Sequence, residues 1–108
     1  MSITADVLRG HTETVILAQL LKADSYGYKI NKAIAEKTTG RYELKEATLY
    51  TAFRRLEEAG CISSYWGDEQ SGARRRYYAV TDAGRQLYHK LLEEWRRATE
   101  IIEQLIAL

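Results

Sequence analysis

Residues 46–60 read EATLYTAFRRLEEAG, and this segment divides into two chemically different faces when it is wound as a helix. Its apolar side chains recur at helical spacing, which predicts a core-facing stripe of Leu49, Ala52, Phe53 and Leu56. The opposite face is polar and cationic, and it carries Ala47, Tyr50, Thr51, Arg54 and Arg55, with Thr48 at its edge. We therefore predict an amphipathic helix from Glu46 to about Ala59, ended by Gly60.

Two further helices are predicted before this segment. The dense apolar pattern of residues 3–21 is typical of one continuous helix. A second helix is predicted over residues 26–37, with Asp24 or Ser25 as its N-cap and Gly40 as its C-terminal glycine. The segment that begins at residue 46 is then the third helix of the chain.

The sequence after the third helix has the composition of β-strands. Residues 62–66 and 74–80 are rich in β-branched and aromatic side chains, and the polar residues 67–73 between them predict a hairpin connection. Thr81 follows as a plausible N-cap for a last, long helix.

The predicted order is helix, helix, helix, hairpin, long helix. This order indicates a mainly α protein with a small β-hairpin wing, which is the arrangement of a winged helix-turn-helix. We assign residues 1–80 to a DNA-binding domain and residues 81–108 to a C-terminal dimerisation helix, and expect the two to form a single compact unit.

The composition is that of one ordinary globular domain, with 108 residues of which 45% are hydrophobic and 29% charged. The net charge of +1 does not by itself indicate a nucleic-acid partner, because DNA responds to a local patch of charge. The single cysteine, Cys61, excludes an internal disulfide framework and fits a reducing compartment. Since the chain shows neither a signal-peptide pattern nor a membrane-spanning apolar run, we expect a cytoplasmic protein without a membrane partner.

The polar face of the third helix is a candidate DNA-reading surface. In a helix-turn-helix unit, one helix packs on the core and enters the major groove with its other face. Arg54 and Arg55 can bond a guanine edge or a phosphate, and threonine hydroxyls suit phosphates or a thymine methyl. A solvated amphipathic helix carries the same residue types, so this helix alone leaves both interpretations open.

The run Arg74-Arg75-Arg76 favours the DNA interpretation. Alternation along a strand places the first and third arginines on one face and Arg75 on the other. Three adjacent like charges repel one another, and nothing in the adjacent sequence neutralises all three. The alternative is an edge strand that its charge protects against aggregation. The acidic residues 68–69 argue against deep insertion of the hairpin tip, whereas arginines behind Gly72 suit contact with a phosphate backbone or a minor groove.

The last helix carries an apolar seam that predicts a homodimer. Its members step by three and four residues: Tyr88, Leu91, Trp95, Ala98, Ile102 and Leu105. A second stripe widens the face, namely Leu87, Leu92, Ile101 and Ile106. A two-fold dimer would match a pseudo-palindromic operator with half-sites about 34 Å apart.

Trp95 lies in the middle of this seam and is too large for a tight two-stranded coil. Facing copies must stack on each other or hold the subunits apart, and the second arrangement leaves a slot for a planar aromatic or cationic molecule. The spacing alone favours the alternative, an ordinary core tryptophan in an interface.

Enzymatic and metal-binding functions find no support in the sequence. Cys61, His11 and His89 lack metal-ligand spacing, and no phosphate loop, nucleophile elbow or paired-carboxylate motif occurs. We expect no cofactor and no metal. The main rival to DNA binding is a winged-helix dimer that sequesters a ligand or binds a protein without reading an operator.

Several motifs together resemble those of the PadR family of transcriptional repressors. They are residues 43–50, Arg55-Leu56-Glu57 with Gly60, residues 65–68, 74–78 and 81–84, and Tyr26-Gly27-Tyr28-Lys29-Ile30 in the second helix. The resemblance extends from about Leu8 to the end of the chain. It implies a winged-helix dimer that represses a promoter and releases it when an effector binds.

The resemblance also implies which residues contact a double-stranded DNA operator. From the second helix these are Tyr26 and Lys29, and from the wing they are Gly72, Arg74 and Arg75. The third helix supplies Thr48, Tyr50, Thr51 and Arg54. The basic residues Lys45 and Arg55 and the small residue Ala47 complete the candidate surface.

The chain length and the single C-terminal helix place the resemblance nearest to the short, LmrR-like subfamily of multidrug-responsive repressors. In that subfamily a tryptophan on the corresponding helix lines a drug-binding pore, which implies that Trp95 lines an effector site at the dimer centre. The implied effector is a planar aromatic or cationic small molecule. The neighbours expected around Trp95 are Val7, Leu8, His11, Val15, Gln19, Thr99 and Ile102.

Overall fold

A computed structural model describes residues 2–67 and 74–108, which form five helices and one antiparallel hairpin. In chain order the elements are α1 (Ile3–Arg9), α2 (Thr12–Lys22), α3 (Gly27–Lys37), α4 (Glu46–Glu58), β1 (Ile62–Gly67), β2 (Arg75–Val80) and α5 (Asp82–Ile106). The predicted fold class is confirmed, and α4 is the predicted third helix. Within these residues, no helix is both long enough and apolar enough to cross a membrane.

The predicted first helix is two helices in the structure, so this prediction was wrong. The chain turns at Gly10 and His11, where the His11 amide donates to the carbonyl of Leu8 over 3.0 Å, only three residues back. Glycine is a poor helix former, and Nδ1 of His11 lies 2.7 Å from the carbonyl oxygen of Val7. Because the apolar pattern continues across the turn, periodicity alone predicts one helix there despite Gly10.

The start of α3 also differs from the prediction, because neither Asp24 nor Ser25 caps it. Tyr26 is the N-cap and makes no side-chain capping bond. The Asp24 carboxylate instead accepts the hydroxyl of Tyr65 at 2.7 Å. Ser25 exchanges two backbone hydrogen bonds with Tyr78 of β2, at 3.1 and 2.8 Å. Both predicted caps are therefore engaged by the hairpin.

Left-handed residues follow both α3 and α4. Gly60, with a φ of 75°, comes directly after the C-cap of α4 and ends that helix as predicted. After α3 the first left-handed residue is Thr39, with a φ of 55°. Gly40 follows it with a φ of 76°, and its amide donates to the carbonyl of Ala35 over 2.7 Å. Thr39 thus takes a position that glycine usually fills.

The core lies where α2, α3 and α4 meet the hairpin. The predicted stripe of α4 is buried, and Phe53 at its centre stacks on Tyr78 with ring centroids 4.0 Å apart. Opposite it, α2 and α3 contribute Ile16, Leu17, Leu20, Ile30 and Ile34. Because one face of α4 is fully occupied by this core, its polar face is turned outward.

The hairpin pairs β1 with β2 from Ile62 opposite Val80 to Gly67 opposite Arg75. The bridge between Ser25 and Tyr78 attaches the hairpin to the turn before α3. This attachment fixes the position of the wing on the helical domain.

The long helix α5 begins against the end of α4. The hydroxyl oxygen of Thr81 accepts the Gly84 amide at 3.1 Å, as predicted for an N-cap, and the same hydroxyl donates to the carbonyl of Gly60 at 2.7 Å. A Cβ on Gly84 would lie 2.1 Å from the carbonyl oxygen of Cys61, so only glycine allows this crossing. From residue 93 onward nearly every side chain is exposed.

Candidate nucleic-acid interface

The outer face of α4 is polar and open to solvent. Six of the predicted contact residues share it: Ala47, Thr48, Tyr50, Thr51, Arg54 and Arg55. Both arginines are exposed, and neither forms a hydrogen bond or ion pair with any other residue in 2–67 or 74–108. An arginine without such a partner keeps all five N–H donors for a ligand. Small residues beside them permit close approach of a partner to the helix backbone.

Two contacts hold α4 against α3. A Cβ on Gly27 would lie 2.7 Å from the hydroxyl oxygen of Tyr50, so glycine at this position makes room for that ring. The side chain of Asn31 bonds the backbone of Leu44 twice: Nδ2 donates to the carbonyl at 2.7 Å, and Oδ1 accepts the amide at 2.8 Å. Lys45, the next residue, is exposed at the N-cap of α4. Sequence reasoning missed Asn31, whose amide in the middle of a helix was the only signal.

The wing arginines point to two sides of the hairpin, as strand alternation predicted. Nη1 of Arg75 donates to the hydroxyl of Tyr26 at 2.8 Å, and its guanidinium lies 4.6 Å from the centre of that ring. Arg74 faces the other side, with its guanidinium 5.2 Å from the ring centre of Trp66. Guanidinium groups are attracted to aromatic faces at such distances. Both predicted contact residues are therefore oriented by aromatic rings.

The third arginine of the run links the wing to α4. Nη2 of Arg76 donates to the hydroxyl of Ser64 at 2.8 Å and lies 3.4 Å from Oε1 of Glu57. Ser64 in turn donates to the other carboxylate oxygen of Glu57 at 2.6 Å. Glu57 thus neutralises one of the three charges, although 19 residues separate it from Arg76. The predicted contact Gly72 and the acidic residues 68–69 lie outside the described residues.

A cluster of tyrosines joins the wing to the helix-turn-helix. Tyr77 stacks on Tyr65 with ring centroids 5.6 Å apart and meets Tyr26 edge to face at 5.2 Å. The hydrogen bond to Asp24 raises the pKa of Tyr65, because the ionised phenol could no longer donate it. Of the two predicted contact residues on this side, Tyr26 is half-buried in the cluster and Lys29 is exposed on α3.

The transcriptional regulator PadR-like family matches residues 16–90, a range that contains α3, α4 and the wing. The chain belongs to this family. A transcriptional regulator from Clostridium thermocellum of known structure is 45% identical, with a TM-score of 0.88, covering 97% of this chain and 99% of that one. PadR of Bacillus subtilis, solved in complex with operator DNA, is 25% identical with a TM-score of 0.66, covering 74% of this chain and 45% of that chain.

Transcriptional regulator YqjI of Escherichia coli is 34% identical over 97 residues, which make up 90% of this chain but 43% of YqjI. The chain therefore spans less than half the length of this relative. These relatives are transcriptional regulators, and the present chain is a DNA-binding transcriptional regulator of the PadR family. In the part of the chain that the structure describes, no group of three or more His, Cys, Asp or Glu residues could hold a metal ion.

Six of the eight predicted effector residues of this PadR-family chain fall into two groups, one around Trp95 and one in a separate cleft. His11 meets Trp95 edge to face with ring centroids 4.5 Å apart, and the hydroxyl of Thr99 donates to the Trp95 carbonyl at 2.9 Å. The second group, Leu8, Val15 and Gln19, lines an apolar cleft of about 480 Å³ beside Ile34 and Tyr42. The remaining two, Val7 and Ile102, are 40% and 49% exposed.

The predicted dimer seam changes character along α5. Tyr88 and Leu91 are half-buried and pack against the core of their own domain. Farther along, Trp95 is 40% exposed and Leu105 is 78% exposed, and Ala98 and Ile102 are exposed as well. Beyond Trp95, which His11 partly covers, α5 thus presents apolar side chains to solvent within the described residues.

Proposed function

We propose that this chain represses transcription by binding a pseudo-palindromic operator as a homodimer. The main support is the outer face of α4, where Arg54 and Arg55 keep their donors free of partners in the described residues. The wing adds Arg74 and Arg75, each set against an aromatic ring. Since the net charge is only +1, local clustering of arginines has to supply the attraction to DNA. The operator complex of Bacillus subtilis PadR, which shares the fold, supports the same assignment.

In the proposed complex α4 lies in the major groove. Arg54 donates to a guanine edge or a phosphate, and Tyr50 and Thr51 contact bases or backbone oxygens. The small side chains of Ala47 and Thr48 let the helix approach closely. Lys29 and Lys45, both exposed, contribute charge toward the phosphates on either side.

Homodimerisation is proposed to use the exposed half of α5. A solitary chain would leave its apolar side chains in water, and covering a fully exposed leucine or isoleucine is worth roughly 1.5–3 kcal/mol. Four side chains are available, of which Leu105 and Ile106 are mostly exposed and Ile101 and Ile102 about half exposed, so each contributes less than this full value. Their pairing by two-fold symmetry would place two copies of α4 on one operator.

Replacing Arg74 and Arg75 together with alanine is expected to weaken operator binding by at least about tenfold at fixed salt. Both guanidinium groups are already oriented by aromatic rings, so little side-chain freedom is lost when they meet phosphates. The wild-type protein would first select its site from a random duplex library. Fluorescence anisotropy on that duplex then compares the variants, and sedimentation checks that each remains dimeric.

The matched control removes two arginines from α5, by replacing Arg96 and Arg97 with alanine. Equal weakening by both double variants would mean that only total charge matters, and unchanged binding by the wing variant would remove the wing from the interface. If the wild-type protein selects no site at all, the ligand-sequestering or protein-interaction alternative gains support.

We further propose that a planar aromatic or cationic effector binds near Trp95 and releases the operator. The edge-to-face contact with His11 leaves the exposed part of the indole available to a second ring. Thr99 and Ile102 follow Trp95 on α5 at the spacing of neighbouring helix turns. In the proposed dimer this surface lies at the centre, beside the partner copy.

Trp95→Phe is expected to abolish ligand-dependent quenching of tryptophan fluorescence, whereas Trp66→Phe leaves it intact. The chain has only two tryptophans, so each variant reports on the other one. The measurement is a titration with a panel of planar aromatic cations and neutral phenolics. Saturable quenching that survives in Trp95→Phe would place the site elsewhere, and no quenching in the wild type would exclude effectors of these classes.

A further inference from the structure

A polar cleft of about 550 Å³ lies where the turn between α1 and α2 meets α4. Thr48, Thr51 and Arg55 of α4 line one side of it, and Arg9 at the end of α1 lines the other. Altogether four threonines and two arginines line the cleft, against one carboxylate, that of Glu13. The hydroxyl of Thr12 already donates to the carbonyl of Arg9 at 2.9 Å, which leaves three threonine hydroxyls for a ligand. The cleft is therefore cationic, rich in hydroxyl groups and continuous with the candidate DNA-reading face.

We propose that this cleft binds the sugar-phosphate backbone beside the groove that α4 enters, with Arg9 as its principal cation. The inference rests on the proposed operator binding, because the cleft shares Thr48 and Thr51 with the reading face of α4. Phosphate oxygens accept hydrogen bonds from guanidinium and hydroxyl donors, which are the groups concentrated here. Arg55 reaches the backbone from α4 and Arg9 reaches it from α1.

The current partner of Arg9 is one that it can exchange. Its guanidinium bonds the Asp6 carboxylate one turn earlier in α1, and both side chains are more than half exposed. An ion pair so open to water contributes little to stability, so a phosphate can share or replace the carboxylate. Asp6 and Glu13 also repel an incoming phosphate. Removing either carboxylate should therefore strengthen DNA binding, while removing Arg9 should weaken it.

The decisive experiment compares Arg9→Gln with Arg97→Gln on the duplex that the wild-type protein selects. Both arginines pair with a carboxylate on the same helix, but Arg97 lies on α5. Each lost phosphate contact reduces the magnitude of the negative slope of log K against log salt by about 0.9, so Arg9→Gln should reduce it by about 1.8 for a dimer. Arg97→Gln should leave the slope unchanged, and Asp6→Asn should bind several-fold more tightly than wild type.

Duplexes with single uncharged methylphosphonate groups locate the contact. One position in each half-site should weaken binding of the wild type while having no effect on Arg9→Gln. If no position behaves in this way, or if Arg97→Gln changes the slope equally, the inference fails. Such a failure is distinct from that of the proposed function, in which the wild-type protein selects no duplex at all. If Arg9→Gln unfolds at the same temperature as the wild type, a loss of structure is excluded as the cause of its weaker DNA binding.

Discussion

Gly84→Ala destabilises the fold by about 3 kcal/mol, at the upper end of the range for overpacked sites. The added Cβ would lie 2.1 Å from the carbonyl oxygen of Cys61 and 2.7 Å from Cγ2 of Val80. The Cys61 oxygen cannot withdraw easily, because it accepts the amide of Thr81 at 3.0 Å. The start of α5 must therefore move away from the hairpin, and the N-cap of α5 moves with it.

Gly10→Ala is the matched control for Gly84→Ala. At Gly10 a Cβ would approach only the carbonyl oxygens of Val7 and Asp6, at 3.4 and 3.7 Å. Its φ of −68° suits alanine, so the variant should equal or exceed the wild type by roughly 0.5 kcal/mol. Urea unfolding at one protein concentration measures both, since the proposed dimerisation would make stability depend on concentration. Equal stability of the two variants would show that the close crossing of α5 does not constrain the fold.

Arg54→Glu weakens operator binding by a factor on the order of a thousand. A good arginine contact with a base edge is worth about 1–3 kcal/mol, and the proposed dimer would lose two such contacts. The new carboxylate also repels the phosphates on both sides of the groove. Since Arg54 is exposed and unpaired within the described residues, the substitution should leave the thermal unfolding temperature almost unchanged.

Arg96→Glu on α5 is the control, because it makes the same change in net charge on an exposed helical arginine outside α4. Anisotropy on the selected duplex should separate the two variants by at least about a hundredfold. A similar loss in both would assign the effect to overall charge, and full binding by Arg54→Glu would remove α4 from the groove.

The contacts between α4 and α5 indicate how an effector could act on DNA binding in the proposed dimer. The Thr81 hydroxyl bridges the end of α4 and the start of α5, and Gly84 packs directly on the residue after Gly60. Because these contacts join α4 to α5, we expect the two helices to move together within one subunit of the proposed dimer. A ligand that alters how two copies of α5 pair near Trp95 would then alter the separation of the two copies of α4.

The parts of the fold with strong local patterns were predictable from the sequence. The two faces of α4 follow from helical periodicity, and the strands follow from β-branched and aromatic residues flanking a polar turn. Thr81 is predictable as a cap from its residue type at the start of the last helix, and its partner, the Gly84 amide, lies only three residues away. These features depend on neighbours along the chain, so the sequence contains the information directly.

The features that the sequence did not reveal depend on distant partners. Asp24 has the side chain of a helix cap, but Tyr65 uses it, 41 residues away. Asn31 holds the loop before α4 through Leu44, and Glu57 neutralises Arg76 across the hairpin. In each case the residue type allows several partners, and only the folded chain selects one.

The most direct test of whether α4 enters the major groove is dimethyl sulfate footprinting of the selected duplex. This reagent methylates N7 of guanine, which faces the major groove. We expect guanines in each half-site to be protected by the wild-type protein, and at least one of them to become reactive again when Arg54→Ala is bound at saturating concentration. If bound wild-type protein left every guanine N7 reactive, α4 would not occupy the groove and the proposed mode of operator recognition would be wrong.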